Sequence, residues 1–228
     1  MTSFAENIRK VNRDNSEKEY SLFYPVLGKD FIKERSLLIV GQATNGWNPN
    51  FSVLNVLPDN IDTLVSEALN YSKEEEGKCA LDWINNDWSK YKLYRSFFWN
   101  VTYKVVQEHY GRGDRDWNNI IAWSNLMKIA PTEGGNPDYA EREAQLESCS
   151  RLFQQEINDL KPKNVVIMTN LETWAAPVLD RAGIIMQRKS DECVEAVGMF
   201  HGTKIIVTKR LYVAKHRPFV DSICAELV

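Results

Sequence analysis

Three continuous apolar runs punctuate the chain: Ser36-Leu37-Leu38-Ile39-Val40, Asn164-Val165-Val166-Ile167-Met168 and Lys204-Ile205-Ile206-Val207-Thr208. Each is followed by a polar or glycine-containing loop, and a run without in–out alternation predicts a strand buried on both faces. Ile120–Leu126 is a candidate fourth strand. Between these runs the apolar positions recur at helical spacing. The segment Ala140–Leu160 places Leu146, Cys149, Leu152, Phe153, Ile157 and Leu160 on one side, and Pro162 closes it. Leu171–Ala182 reads as a shorter helix stopped by Gly183, and Tyr94–Tyr110 as one stopped by Gly111. Pro218–Leu227 reads as a terminal helix. Ile184–Met199 fits a strand or a hairpin. Residues 1–35 are expected to form an N-terminal helical segment, and 61–90 a possible insertion over the sheet edge.

Strands alternating with helices predict an α/β fold, a three-layer α/β/α sandwich around a mostly parallel sheet. No linker or repeat divides the chain, so residues 1–228 are expected to form one domain. In open sheets of this kind ligands sit beyond the carboxyl ends of the strands. The loops after Val40, Leu126, Met168 and Thr208 are therefore the places to look for chemistry.

Composition narrows the function classes. The 228 residues are 43% hydrophobic and 26% charged, which excludes a disordered chain, a collagen-like fibre and a membrane bundle. No secretory signal is visible at the polar N-terminus, so a cytoplasmic location is expected and no membrane partner. The net charge of −3 argues against non-specific coating of nucleic acid. Charge is uneven, however: Arg181–Arg217 holds eight basic residues against three acidic ones. Cys79, Cys149, Cys193 and Cys224 form no C-x-x-C pair, and the three histidines lack metal-ligand spacing, so neither a metal nor a cofactor is expected.

The first loop, Gly41-Gln42-Ala43-Thr44-Asn45-Gly46-Trp47-Asn48-Pro49, combines glycines, amides and an aromatic ring. That set suits hydrogen bonding to, and stacking on, a planar polar ring; Asn45-Gly46 is also a turn signal in its own right. It has neither the Gly-Lys-Ser/Thr of a phosphate loop nor the spacing of a dinucleotide site. Asn125 ends the candidate fourth strand, where an amide can read a pyrimidine edge or cap a turn. His216 stands in the basic loop Lys209-Arg210-Leu211-Tyr212-Val213-Ala214-Lys215-His216-Arg217, just before a helix.

Taken in order, these loops resemble the uracil-DNA glycosylase superfamily. Gly41-Gln42-Ala43 is similar to the turn after that superfamily's first strand. Trp123-Ser124-Asn125-Leu126 with Lys128 and Pro131 is similar to its uracil-recognising strand end, and His216 to its late histidine. The resemblance spans roughly Leu37 to Pro218. It implies a four-stranded parallel sheet between helices and a protein that flips a deaminated base from DNA and cleaves its N-glycosidic bond. Gly41, Ala43, Asn125 and Thr169 would then line the base pocket, with Trp47 or Phe51 stacking on the base. His216 would stabilise the departing base, and Gln42 or Asn45 would orient a water. Lys209, Arg210, Lys215 and Arg217 would face the nucleic-acid backbone. Ala43 and Gln42 stand where branches of the family carry acids, and His216 is followed by Arg217-Pro218 rather than Pro-Ser. These departures leave a second expectation open, a non-catalytic protein binding a nucleobase, nucleotide or nucleic acid. A different α/β enzyme is the third.

Overall fold

The computed structural model describes residues 18–44, 50–52, 61–71, 80–86, 96–113, 116–209 and 216–228. Along the chain come β1 (Glu19–Leu22), β2 (Val26–Leu27), α1 (Phe31–Glu34), β3 (Leu37–Gly41), β4 (Asn50–Ser52), α2 (Ile61–Tyr71), α3 (Asp82–Asn86) and α4 (Phe97–Tyr110). There follow β5 (Ile121–Asn125), β6 (Ile129–Pro131), α5 (Tyr139–Leu160), β7 (Asn164–Ile167), α6 (Ala176–Arg181), β8 (Met186–Arg188), β9 (Val194–Phe200), β10 (Thr203–Thr208) and α7 (His216–Glu226).

The large sheet has the order β2-β5-β3-β7-β10-β9-β8. Its central block β5-β3-β7-β10 is parallel throughout, whereas β2, β9 and β8 add antiparallel edges. The expected sheet of four strands is thus the middle of a mixed sheet of seven. The reason is local: Phe200-His201-Gly202-Thr203 turns β9 back onto β10, with His201 and Gly202 both at positive φ. Ile184–Met199, open between strand and hairpin, forms β8 paired with β9.

Alternation along the parallel strands sends side chains to two faces. Leu38, Val40, Ala122, Val165, Ile167, Ile205 and Val207 pack with α5 and α6. Leu37, Ile39, Ile121, Trp123, Val166 and Ile206 pack with α3, α4 and α7. Helices therefore cover both faces, and Leu37 through Val40 have no exposed surface at all. Helix α5 opens with a capping box in which Asp138 and Glu141 bond reciprocally, and ends at Lys161. Gly111 and Gly183 take left-handed φ after α4 and α6, the role the sequence assigns them.

Residues 18–35 hold two strands and one helical turn where a helical segment is expected, and the rest of that expectation, 1–17, lies outside the described residues. Strand β1 pairs with β4 on one side and β6 on the other, and this second, three-stranded antiparallel sheet consumes its backbone. Within 61–90, α2 and α3 are helical as read, and Leu81 just before α3 and Ile84 within it belong to the core under α4.

Gly28 is a close-approach glycine. Its N–H donates to Ile121 O, and a Cβ there would run into the carbonyl oxygens of Asn118 and Asn119. Backbone at the contact cannot swing aside as a side chain can. Gly28→Ala is therefore expected to lower unfolding free energy by about 1–3 kcal/mol, read from the urea midpoint. An unshifted midpoint would contradict this packing.

Candidate functional site at the carboxyl edge of the parallel strands

Numbered by chain order, the four parallel strands run 2-1-3-4, so the direction of winding reverses between β3 and β7. The crevice beyond the carboxyl ends at such a reversal is where open α/β sheets bind ligands. The sequence places Gly41 and Gln42 at the end of β3, Thr169 after β7 and Asn125 at the end of the neighbouring β5.

Gly41 and Asn125 are register partners. Asn125 lies across Gly41, and a Cβ at position 41 would stand 2.5 Å from Asn125 Oδ1 and 3.7 Å from the ring of Phe98. A side chain at position 41 would push the amide out of this place. Asn125 is 1% exposed, and its Nδ2 finds no hydrogen-bond partner among the described residues. A buried amide nitrogen left unmatched carries a desolvation penalty of about 1–3 kcal/mol, which a ligand acceptor would relieve. Thr44 Oγ1, in the loop after β3, is a second buried polar atom without a partner among the described residues.

Gln42 is held at both ends of its amide. Nε2 donates to Thr169 Oγ1 at 2.6 Å, and Oε1 accepts from Asn136 Nδ2 at 3.1 Å. The loop beneath is fixed too, since Leu126 N–H and Met127 N–H donate to the carbonyls of Gly41 and Gln42. Gln42 can offer one further donor and one further acceptor site, yet it cannot take a proton as a carboxylate does. Ala43 follows and packs partly against the α5-side core.

His216 opens α7 at the same edge. Its ring packs on Phe97 with centroids 4.5 Å apart, and the adjacent Phe98 is the residue that reaches Gly41. Burial, and then the charge of Lys104, lower its pKa below the ordinary histidine value. At neutral pH the imidazole is thus neutral, with one N–H to donate.

The loop after β7 enters a π-helical turn, Leu171–Ala175, which continues into α6. Its leading N–H groups are already used: Leu171 N–H donates to the Glu195 carboxylate and Thr173 N–H to Asn170 Oδ1. This helix start is satisfied by protein acceptors.

The basic segment is more neutralised than its composition implies. Arg217 pairs with Glu108 at 2.8 Å and with Asp221 at 2.7 Å, Arg188 with Glu172, and both Lys189 and Lys204 with Glu226. Lys209 is exposed after β10. Burial opposes ionisation of the nearby Asp191, but hydrogen bonds from Val194 N–H, Cys193 N–H and Ser222, and then the Lys209 charge, hold its pKa below the usual carboxylate range. Arg210, Lys215, Asn45 and Trp47 lie outside the described residues. Phe51 sits on β4 opposite Tyr20, with only its backbone described.

Lys128 does not join this cleft. Ser124 and Lys128 face α5, where Lys128 Nζ lies 2.5 Å from Glu156 and donates to Ser124 Oγ, itself bonded to Glu156. Asn125, one residue on from Ser124, points to the other face. The residues that sequence reasoning missed are Phe97, Phe98 and Asn136. Phe97 and Phe98 had a visible signal as the aromatic start of α4, but Asn136 had none.

Burial pushes the Cys149 thiol up to about 12 and Cys224 up to about 11, so neither serves as a thiolate nucleophile near neutral pH. Among the described residues no three His, Cys, Asp or Glu side chains gather as a metal-binding group, and no helix is long and apolar enough to cross a membrane. No family model and no curated protein matches the chain.

Proposed function

We propose that this chain is a uracil-DNA-glycosylase-like protein that takes a deaminated base into the crevice between β3 and β7 and hydrolyses its N-glycosidic bond. The observation that carries the reading is Asn125, a buried amide with an unmatched donor, seated over a glycine at the winding reversal of a parallel sheet. The block β5-β3-β7-β10 supplies the four parallel strands that the family layout asks for. An amide that both donates and accepts fits the edge of uracil, which offers a carbonyl beside an N–H. Neutral His216 at the same edge would donate to the oxygen on which charge collects as the base departs. The cleavage passes through an oxocarbenium-like transition state, so stabilising the leaving base matters more than deprotonating water. Gln42, clamped by Thr169 and Asn136, would orient that water without accepting its proton. Slow turnover follows.

One observation favours a second reading, a non-catalytic protein that binds a nucleobase or nucleotide. The first loop, residues 41–49, carries no carboxylate, so it supplies recognition groups without a carboxylate base. A gel assay on uracil-containing single- and double-stranded oligonucleotides, with cleavage at the resulting abasic site, separates the two. Slow uracil release is expected. Asn125→Ala should lose discrimination between uracil and other bases, because a site shaped by hydrogen bonds rejects mismatches through its unfilled donors. No release from any uracil-, hypoxanthine- or xanthine-containing strand would hand the site to the binding reading.

A further inference from the structure

Among the described residues, three that are not glycine have left-handed backbone: Arg35 (φ 47°), Lys161 (φ 48°) and His201 (φ 48°). All three can carry positive charge, and all three stand at the amino edge of the parallel strands, opposite the crevice. Arg35 leads into β3, Lys161 ends α5 just before β7, and His201 turns β9 into β10. The edge is continuous. Lys163 N–H donates to Arg35 O at 2.7 Å, and Lys204 N–H donates to Lys163 O at 3.0 Å. Lys161, Lys163 and His201 line a single cleft together with Asn158, Pro162 and Thr203.

Glycine would sit in left-handed backbone without the Cβ penalty that each of these residues bears. Strain kept at three neighbouring turns, each time with a basic side chain, points to a use for the charge. The nearby acids are engaged elsewhere: Glu34 with Arg112, and Glu226 with Lys189 and Lys204. Asp159 forms no ion pair among the described residues and lies on the side of Tyr24. Arg35, Lys161 and Lys163 form no ion pair among the described residues. Beside them the His201 ring stacks on Phe200, with centroids 4.0 Å apart and planes 18° apart, and an Asn158 oxygen holds it at 2.7 Å.

We infer that this amino edge is a second binding surface, taking the phosphate backbone of a single-stranded nucleic acid without regard to sequence. A basic track beside aromatic rings is how such strands are held, the rings stacking on bases while the cations follow the phosphates. Three adjacent strand entrances extend over about 10 Å at the spacing of a sheet, room for two or three phosphates. Base excision belongs to the opposite edge, so the two surfaces act separately.

The test is fluorescence anisotropy with a labelled oligothymidine of about 15 nucleotides. It contains no uracil, so its outcome is independent of the glycosylase reading. Binding by the wild type is expected to weaken with salt. R35G/K161G/H201G should flatten that log–log slope by about 1.4, at ~0.7 for each of the two phosphates that Arg35 and Lys161 no longer neutralise. The same variant should melt about 2–4 °C higher, because glycine relaxes the turns. K163Q leaves the backbone untouched and should flatten the slope by about 0.7. The inference is overturned by absence of wild-type binding at low salt, or by slopes unchanged in both variants. A lower melting temperature for the glycine variant would make these residues structural and also overturn it. Tighter binding to anionic phospholipid vesicles than to the oligonucleotide would overturn it too, assigning the edge to a membrane surface instead.

Discussion

Glu156→Ala is expected to lower unfolding free energy by about 3–5 kcal/mol, the range for breaking a buried ion pair on one side. The Lys128 side chain is 2% exposed, and Glu156 is its charged partner at 2.5 Å. Removing the carboxylate leaves the ammonium with Ser124 Oγ alone and takes away the acceptor of the Ser124 hydroxyl as well. Replacing both charges, as in K128M/E156L, should restore most of the stability, since two well-packed apolar side chains carry no desolvation penalty. Urea unfolding of the two variants and the wild type measures both quantities. A drop below about 1 kcal/mol for the single variant would mean that the lysine charge is compensated from elsewhere.

His216→Ala is expected to reduce uracil release by a factor on the order of 10²–10³, the effect of one well-placed donor to a developing oxyanion. The pH dependence has a definite sign. Burial and Lys104 lower the folded-state pKa, so the unfolded chain holds the extra proton between that lowered value and about 6.5. Stability therefore falls as pH drops through about 6.5 and stops falling, on account of this group, below the folded pKa. The neutral imidazole persists across the same window, so the release rate is expected to be flat from about pH 8 to 6.5. Equal release by wild type and His216→Ala would remove the histidine from the reaction. A rate that climbs as pH falls below about 7.5 would assign the work to the imidazolium.

The four parallel strands and the long helix α5 were legible because their signals are local. Leu37 to Val40 read as a strand buried on both faces, and so they are. Strand β1 was not legible, because Glu19 to Leu22 becomes a strand only when β4 and β6 arrive on either side. The same division runs through the site. A glycine after a strand and an amide at a strand end stand out in the sequence, but the approach of Asn125 to Gly41 depends on register, and no residue near either one encodes it. The basic character of the C-terminal third was visible, whereas Glu108, the partner of Arg217, lies 109 positions away in sequence. Lys128 shows how little separates the alternatives: its partner Ser124 and the amide of Asn125 are neighbours in the chain on opposite faces of the strand.

The central place of β3 governs when the crevice can exist during synthesis. Residues 37–41 wait for partners at 121–125 on one side and 164–167 on the other. At about 5–20 residues per second, the roughly 80 residues before the first partner take about 4–16 s to emerge. Throughout that interval an uncharged Leu-Leu-Ile-Val segment leaves the ribosome with neither sheet neighbour yet made, a segment that chaperones bind and that other nascent chains can pair with. The strand that carries Gly41 is thus the first of the parallel block to be synthesised and the one that waits longest for its neighbours.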